Sequence, residues 1–185
     1  MRIAVLGAGA WGTALALAFH GPHSVTLWAR NTVHVGAMRN ERENRRYLPG
    51  VPLPDTLNLT DDLAEAARGA DLHLVVTPLS GLREAVRRLQ QIQPGTPLVW
   101  ACKGLEAGSG RLPHEIVAEE LGEDAPCGVL TGPSFAAEVA RGQPTAITLA
   151  SRDADFIERW LPILHQPLLR VYANNDLVGA EIGGA

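Results

Sequence analysis

Residues 7 to 12 read Gly-Ala-Gly-Ala-Trp-Gly. They follow a short apolar, β-branched run, "RIAVLG" from Arg2 to Gly7, and open a stretch of helical composition, "WGTALALAFHG". In that setting each glycine has a task. Gly7 permits a tight turn, Gly9 lets a pyrophosphate approach the backbone without meeting a Cβ, and Gly12 lets helix and strand pack closely. The helix N-terminus offers free N–H groups and a positive dipole end to phosphates. The pattern predicts a dinucleotide site, the alternative being a packing loop without a ligand. The ribose end of such a site is read about 20 residues further on, at the end of the second strand. An acid there holds a 2′-hydroxyl. "LWARN", Leu27 to Asn31, has no acid and carries Arg30 instead. A guanidinium can pair with a 2′-phosphate and stack on adenine. NADP(H) is therefore favoured, with NAD(H) possible.

Lys103 is the second chemical signal. Lys and Arg total 16, and Lys103 is the single lysine among them. It stands directly after an apolar run, in "WACKGLEAGSG". A compact cation there suits a substrate phosphate or oxyanion. The plainer reading is a lysine snorkelling at a strand end. "TGPSFAAE", Thr131 to Glu138, is a third candidate loop. Ser134 starts a helix there and reads either as its N-cap or as a hydroxyl aimed at a ligand. "TPLS" (Thr77 to Ser80) and "ANND" (Ala173 to Asp176) complete the set of loops expected to converge on the cofactor.

The elements that must hold these loops alternate along the chain. Apolar strands are predicted in "RIAVLG", "SVTLWA", "TLNLT", "DLHLVVT", "TPLVWACK", "PCGVLTG", "PTAITLAS" and "LLRVYAN". Helical segments lie between them, including "TVHVGAMRNERENRRY", "GLREAVRRLQQI", "LPHEIVAEELG", "SFAAEVARG" and "DADFIERWLPILHQ". Thr60 is the expected N-cap of "DDLAEAARG". The prolines of "YLPGVPLP" predict a loop without regular structure. The fold class is α/β, a doubly wound, mainly parallel sheet with helices on both faces and the ligand at the carboxyl ends of the strands.

Composition narrows the function. With 46% hydrophobic and 19% charged residues in 185, the chain is globular rather than disordered. A net charge of −4, with arginines scattered among acids, leaves no basic field for nucleic acid. "RNERENRRY", Arg39 to Tyr47, alternates charges and reads as a solvated face or loop. No apolar run is long enough to span a membrane, and no secretory leader is evident, so a cytoplasmic location is expected. Cys102 and Cys127 lack CxxC spacing and read as buried free thiols. The histidines show no metal-ligand spacing, so no metal site is expected, and His73 reads as a core residue.

Taken together, "IAVLGAGAWGTALA", "LWARN", "YLPGVPLP", "ACKGLE", "GPSFAAEVA" and "YANNDLVGAEIGGA" resemble NAD(P)-dependent glycerol-3-phosphate dehydrogenases of the bacterial type. The resemblance covers the whole chain and implies a Rossmann-type cofactor domain over residues 1–185. The implied reaction interconverts dihydroxyacetone phosphate and sn-glycerol 3-phosphate and supplies phospholipid synthesis. Implied cofactor contacts are Ala10, Trp11, Arg30, Lys103 and Ala136, with Asn31 and Tyr47 beside the adenine. Implied substrate contacts are Lys103, Gly132 and Ser134. In the family, "EIGGA" leads into a leucine and then the general acid/base lysine. The chain stops at Ala185, so that lysine and the helical substrate domain after it are expected outside it. The chain alone is then expected to bind cofactor without turnover, and the full-length enzyme to be a possible homodimer. Competing readings are a related Rossmann hydroxyacid or ketopantoate dehydrogenase and a non-catalytic NAD(P)-binding module.

Overall fold

The computed structural model describes residues 1–184. Its centre is an 8-stranded sheet. The strands are β1 (Arg2–Leu6), β2 (Ser24–Trp28), β5 (Asn58–Thr60), β6 (Leu72–Val75), β7 (Leu98–Trp100), β8 (Cys127–Thr131), β9 (Thr145–Ala150) and β10 (Leu169–Asn174), in spatial order β10-β9-β8-β7-β6-β1-β2-β5. From β5 through β8 every pairing is parallel. Their ends are level, since Leu6 pairs with Trp28 and Val75, Val75 with Trp100, and Trp100 with Val129. The glycine turn and the loops after β6, β7 and β8 therefore leave one edge of the sheet.

Side chains alternate between two apolar layers, as buried strands require. Val99 and Leu130 enter one layer, and Leu98, Trp100 and Val129 the other. The first layer is covered by α1 (Ala10–Phe19), α2 (Thr32–Glu41), α6 (Ala136–Ala140) and α7 (Ala154–Leu164). The second is covered by α3 (Leu63–Ala67), α4 (Leu82–Ile92), α5 (Pro113–Leu121) and α8 (Leu177–Gly183). His73 sits in this interior, 1% exposed, with Nε2 3.2 Å from the Ala67 carbonyl oxygen. Burial lowers its pKa from the ordinary histidine value.

Several sequence expectations are corrected. β9 runs antiparallel to β8, and β10 follows β9 in parallel. Between β8 and β9 the chain forms α6, which packs on the first layer. The "ANND" loop after β10 therefore lies at the edge opposite the glycine turn and leaves the set of ligand loops. "YLPGVPLP" is not irregular: β4 (Leu48–Pro52) pairs antiparallel with β3 (Glu43–Asn44). A two-stranded ribbon leaves each strand one free edge, which accommodates Pro49 and Pro52. The predicted long second helix accordingly ends at Glu41, where Arg42 turns left-handed at φ 48°.

Two capping assignments also change. Asp62, not Thr60, caps α3, its carboxylate accepting from the Ala64 and Glu65 N–H groups. Thr60 instead donates its hydroxyl to Glu65 and accepts from the Asp62 N–H. Phe135 occupies the N-cap position of α6, so Ser134 is not the cap. Among the described residues no helix is long and apolar enough to cross a membrane, and no cluster of His, Cys, Asp and Glu could hold a metal ion. The position just after Ala185 expected to hold the acid/base lysine lies outside the described residues.

Candidate functional site

The glycine turn is built as its spacing predicts. Gly7 has φ 121°, and its N–H donates to the Trp28 carbonyl. A Cβ on Gly7 would come within 2.7 Å of the Val76 carbonyl oxygen, and one on Gly12 would collide with the Gly7 carbonyl. A Cβ on Gly9 would meet no atom within 4 Å, so that face is open. Gly9 is also the N-cap of α1, and it makes no side-chain cap bond. The first N–H groups of α1 thus face the opening without a side chain across them.

A cleft of about 700 Å³ runs over this turn. Gly7, Gly9, Ala10, Trp11, Gly12, Arg30, Asn31 and Tyr47 all line it, so the structure gathers the sequence-predicted cofactor residues of the first half into one cavity. Thr77, Pro78 and Ser80 form part of its wall. Arg30, Asn31, His34, Arg46 and Tyr47 contribute the end near α2. There the Arg46 guanidinium lies 5.1 Å from the Tyr47 ring centroid, and His34 meets that ring edge-on at 5.3 Å. Asn31 has a structural duty as well, since its Oδ1 accepts from the His34 N–H and caps α2.

Lys103, Gly132, Ser134 and Ala136 lie on the same sheet edge but outside the walls of this cleft. Lys103 is exposed in the loop after β7. Gly132, at φ 151°, follows β8 where a Cβ would press on the Ile147 Cα at 3.1 Å. Ser134 is half-buried, and its hydroxyl is 3.5 Å from the Gly132 carbonyl oxygen. Ala136 packs with Trp11 against the apolar layer beneath α1.

The Lys103 loop is anchored through Glu106. Arg83 of α4 grips both Glu106 oxygens at 2.8 Å, and its remaining Nη1 reaches Glu119 at 2.8 Å and Glu120 at 2.9 Å. The Ser109 hydroxyl donates to Glu106, and the Glu106 N–H and carbonyl pair with Arg111 and Gly110. Arg83, then Ser109, hold the Glu106 carboxyl at about 2, well below the usual range. Beneath the loop Cys102 is buried, and burial pushes its thiol up to about 11, so it is not a thiolate nucleophile at neutral pH. Cys127 is likewise raised to about 11 by burial.

Sequence reasoning missed Asn44. It lies in the charged run read as solvated, yet it is 0% exposed. Its Nδ2 donates to the Ala8 carbonyl at 3.0 Å and to Thr13 Oγ1 at 2.7 Å, clamping the glycine turn to the hairpin. Its Oδ1 and carbonyl accept from the Tyr47 N–H, which sets Tyr47 at the cleft. Arg46, His34 and Arg88 were also not singled out. No local spacing marks any of them, since each joins the cleft through tertiary packing.

The family described as NAD-dependent glycerol-3-phosphate dehydrogenase N-terminus matches residues 2–157. A protein of Aromatoleum aromaticum named glycerol-3-phosphate dehydrogenase, NAD(P)+, is 70% identical over 185 residues, covering 100% of this chain and 56% of its own length. A protein of the same name from Dechloromonas aromatica is 53% identical with the same coverage of both. The crystal structure of glycerol-3-phosphate dehydrogenase from Coxiella burnetii superimposes with a TM-score of 0.91 at 43% identity, over 99% of this chain and 56% of that one. The chain thus spans a little over half the length of these relatives.

Proposed function

The chain belongs to the NAD-dependent glycerol-3-phosphate dehydrogenase N-terminal family, and on that premise we propose that it is the cofactor-binding domain of an enzyme interconverting dihydroxyacetone phosphate and sn-glycerol 3-phosphate. The carrying observation is the 700 Å³ cleft that joins the open face of Gly9 to Arg30 and Tyr47. Its chemistry fits a dinucleotide: bare N–H groups for the pyrophosphate, an aromatic wall, and cations at the far end. A bound nicotinamide cofactor supplies the hydride. The chain supplies position and charge. The α1 N-terminus and Gly9 hold the pyrophosphate, with Ala10, Trp11 and Ala136 along the cofactor. Arg30, with Arg46 behind Tyr47, takes the 2′-phosphate, so NADP(H) is preferred over NAD(H). Lys103 offers its ammonium to the substrate phosphate or oxyanion, and Gly132 and Ser134 border the substrate. The general acid/base and the remaining phosphate ligands are assigned to the part of the relatives' length beyond this match. The enzyme is assigned to the cytoplasm.

Two measurements test this reading. Calorimetric titration of the chain is expected to show tighter binding of NADPH than NADH, with Arg30→Ala removing most of the difference. Equal affinities in the intact protein overturn the preference. In a coupled assay the full-length enzyme is expected to reduce dihydroxyacetone phosphate and the 185-residue chain to show almost no turnover. Robust reduction by the chain alone overturns the division of labour.

A further inference from the structure

Glu181 is a carboxylate inside the protein that the proposed chemistry does not use. It lies on α8, and its side chain is 2% exposed. Its Oε1 accepts from Trp100 Nε1 at 2.8 Å and from the His114 N–H at 3.0 Å. Its Oε2 lies 2.5 Å from His114 Nδ1. Trp100 is itself 0% exposed. A buried carboxylate is tolerated only when its lone pairs are filled in this way.

The partners are placed with a purpose. Trp100 ends β7, directly before the loop that carries Lys103. His114 stands in the first turn of α5, where that loop lands. Glu181 therefore ties together the two feet of the Lys103 loop, while Glu106 closes its middle. Three residues further along, Gly184 abuts Thr131, where a Cβ would collide with the Thr131 hydroxyl. Thr131 immediately precedes Gly132. The carboxylate thus links both feet of the Lys103 loop to α8, whose end meets Thr131 just before the turn after β8.

We propose that Glu181 is a positioning residue: through Trp100 and His114 it fixes the Lys103 loop relative to α8 and the Gly132 turn. The substrate-binding groups sit on these loops, whereas the dinucleotide cleft is lined from other elements. Loss of the tie therefore separates substrate handling from cofactor binding. The inference rests on the proposed reduction of the ketone phosphate.

The test uses the full-length enzyme carrying Glu181→Ala, Glu181→Gln, Trp100→Phe and His114→Ala. Glu181→Ala is expected to lower kcat/KM for dihydroxyacetone phosphate on the order of tenfold or more, because small misplacements of binding groups cost that much. The NADPH Kd is expected to stay within about twofold, since the cleft keeps its lining. Glu181→Gln retains an oxygen acceptor for Trp100 and the His114 N–H and is expected to restore most of the loss. Trp100→Phe deletes a donor and keeps an aromatic ring, so it reports even where Glu181→Ala fails to fold. Its expected signature is the same split in smaller measure, with His114→Ala alongside it. Unchanged kcat/KM in a folded Glu181→Ala, unchanged kcat/KM in both Trp100→Phe and His114→Ala, or a Kd for NADPH that worsens in step with kcat/KM, overturns the proposal. A wild-type enzyme that does not reduce dihydroxyacetone phosphate overturns the functional reading instead, which separates the two failures.

Discussion

Lys103 concentrates the proposed chemistry on a single ammonium, in a chain that otherwise uses arginine. Its loop is fixed from beneath by Cys102 and from the side by Glu106, while the side chain itself stays exposed. Such a charge can face a substrate phosphate without paying for burial in the free state. In the full-length enzyme Lys103→Ala is expected to raise KM and lower kcat together, reducing kcat/KM on the order of a hundredfold, as loss of an electrostatic donor to a reacting oxyanion does. Steady-state kinetics with dihydroxyacetone phosphate check this, and an unchanged kcat/KM refutes the role. The geometry of the glycine turn was legible in the sequence because its signal is local. Gly7, Gly9 and Gly12 are read from spacing alone, and Arg30, read from the absence of an acid beside it, lines the same cleft. Asn44 was not legible. Its partners Ala8 and Thr13 lie 36 and 31 residues away, and nothing within the charged run says that one amide turns inward.

At the scale of the element, loops are held by charge and strands by burial. The Lys103 loop is tied to α4 and α5 by the Arg83–Glu106 grip and its branches to Glu119 and Glu120. Glu106 titrates at about 2, below its unfolded value near 4.3. The folded state is therefore favoured by this group in full above about pH 4.3, and the contribution is lost as pH falls toward about 2. Glu106→Gln is expected to lower Tm at neutral pH and to flatten the decline of Tm between about pH 5 and pH 2. Thermal unfolding followed by circular dichroism across that range decides the matter, and parallel wild-type and variant curves count against the assignment. Strand and helix positions were largely legible because apolar runs and glycine or proline breaks repeat along the chain. The hairpin of β3 and β4 was not, because prolines on a free strand edge look the same in sequence as prolines in a loop.

The whole molecule divides its labour across the sheet. From β5 through β8 the parallel strands present their carboxyl ends to one edge, and β9 and β10 close the sheet in the opposite sense. The alternation of strands and helices was legible, but the reversal was not, since α3 and α6 have 5 residues each and only α3 leads into a parallel strand. The reversal has a functional consequence: α8 starts at the far edge and climbs back, so its end arrives beside Thr131. Because the cleft borrows walls from the glycine turn, α1, β2, α2, the hairpin, α3 and α4, cofactor binding is expected to stabilise the fold as a unit rather than one loop. At NADPH concentrations 100 times Kd the linkage amounts to about 2.7 kcal/mol. For a chain of this size that corresponds to a rise in Tm of roughly 5–11 °C. NADH at the same concentration is expected to give a smaller rise, and Arg30→Ala to bring the two rises together. Differential scanning fluorimetry of the chain with each cofactor measures all of this. A Tm indifferent to NADPH at saturating concentration would show that the cleft does not hold the dinucleotide.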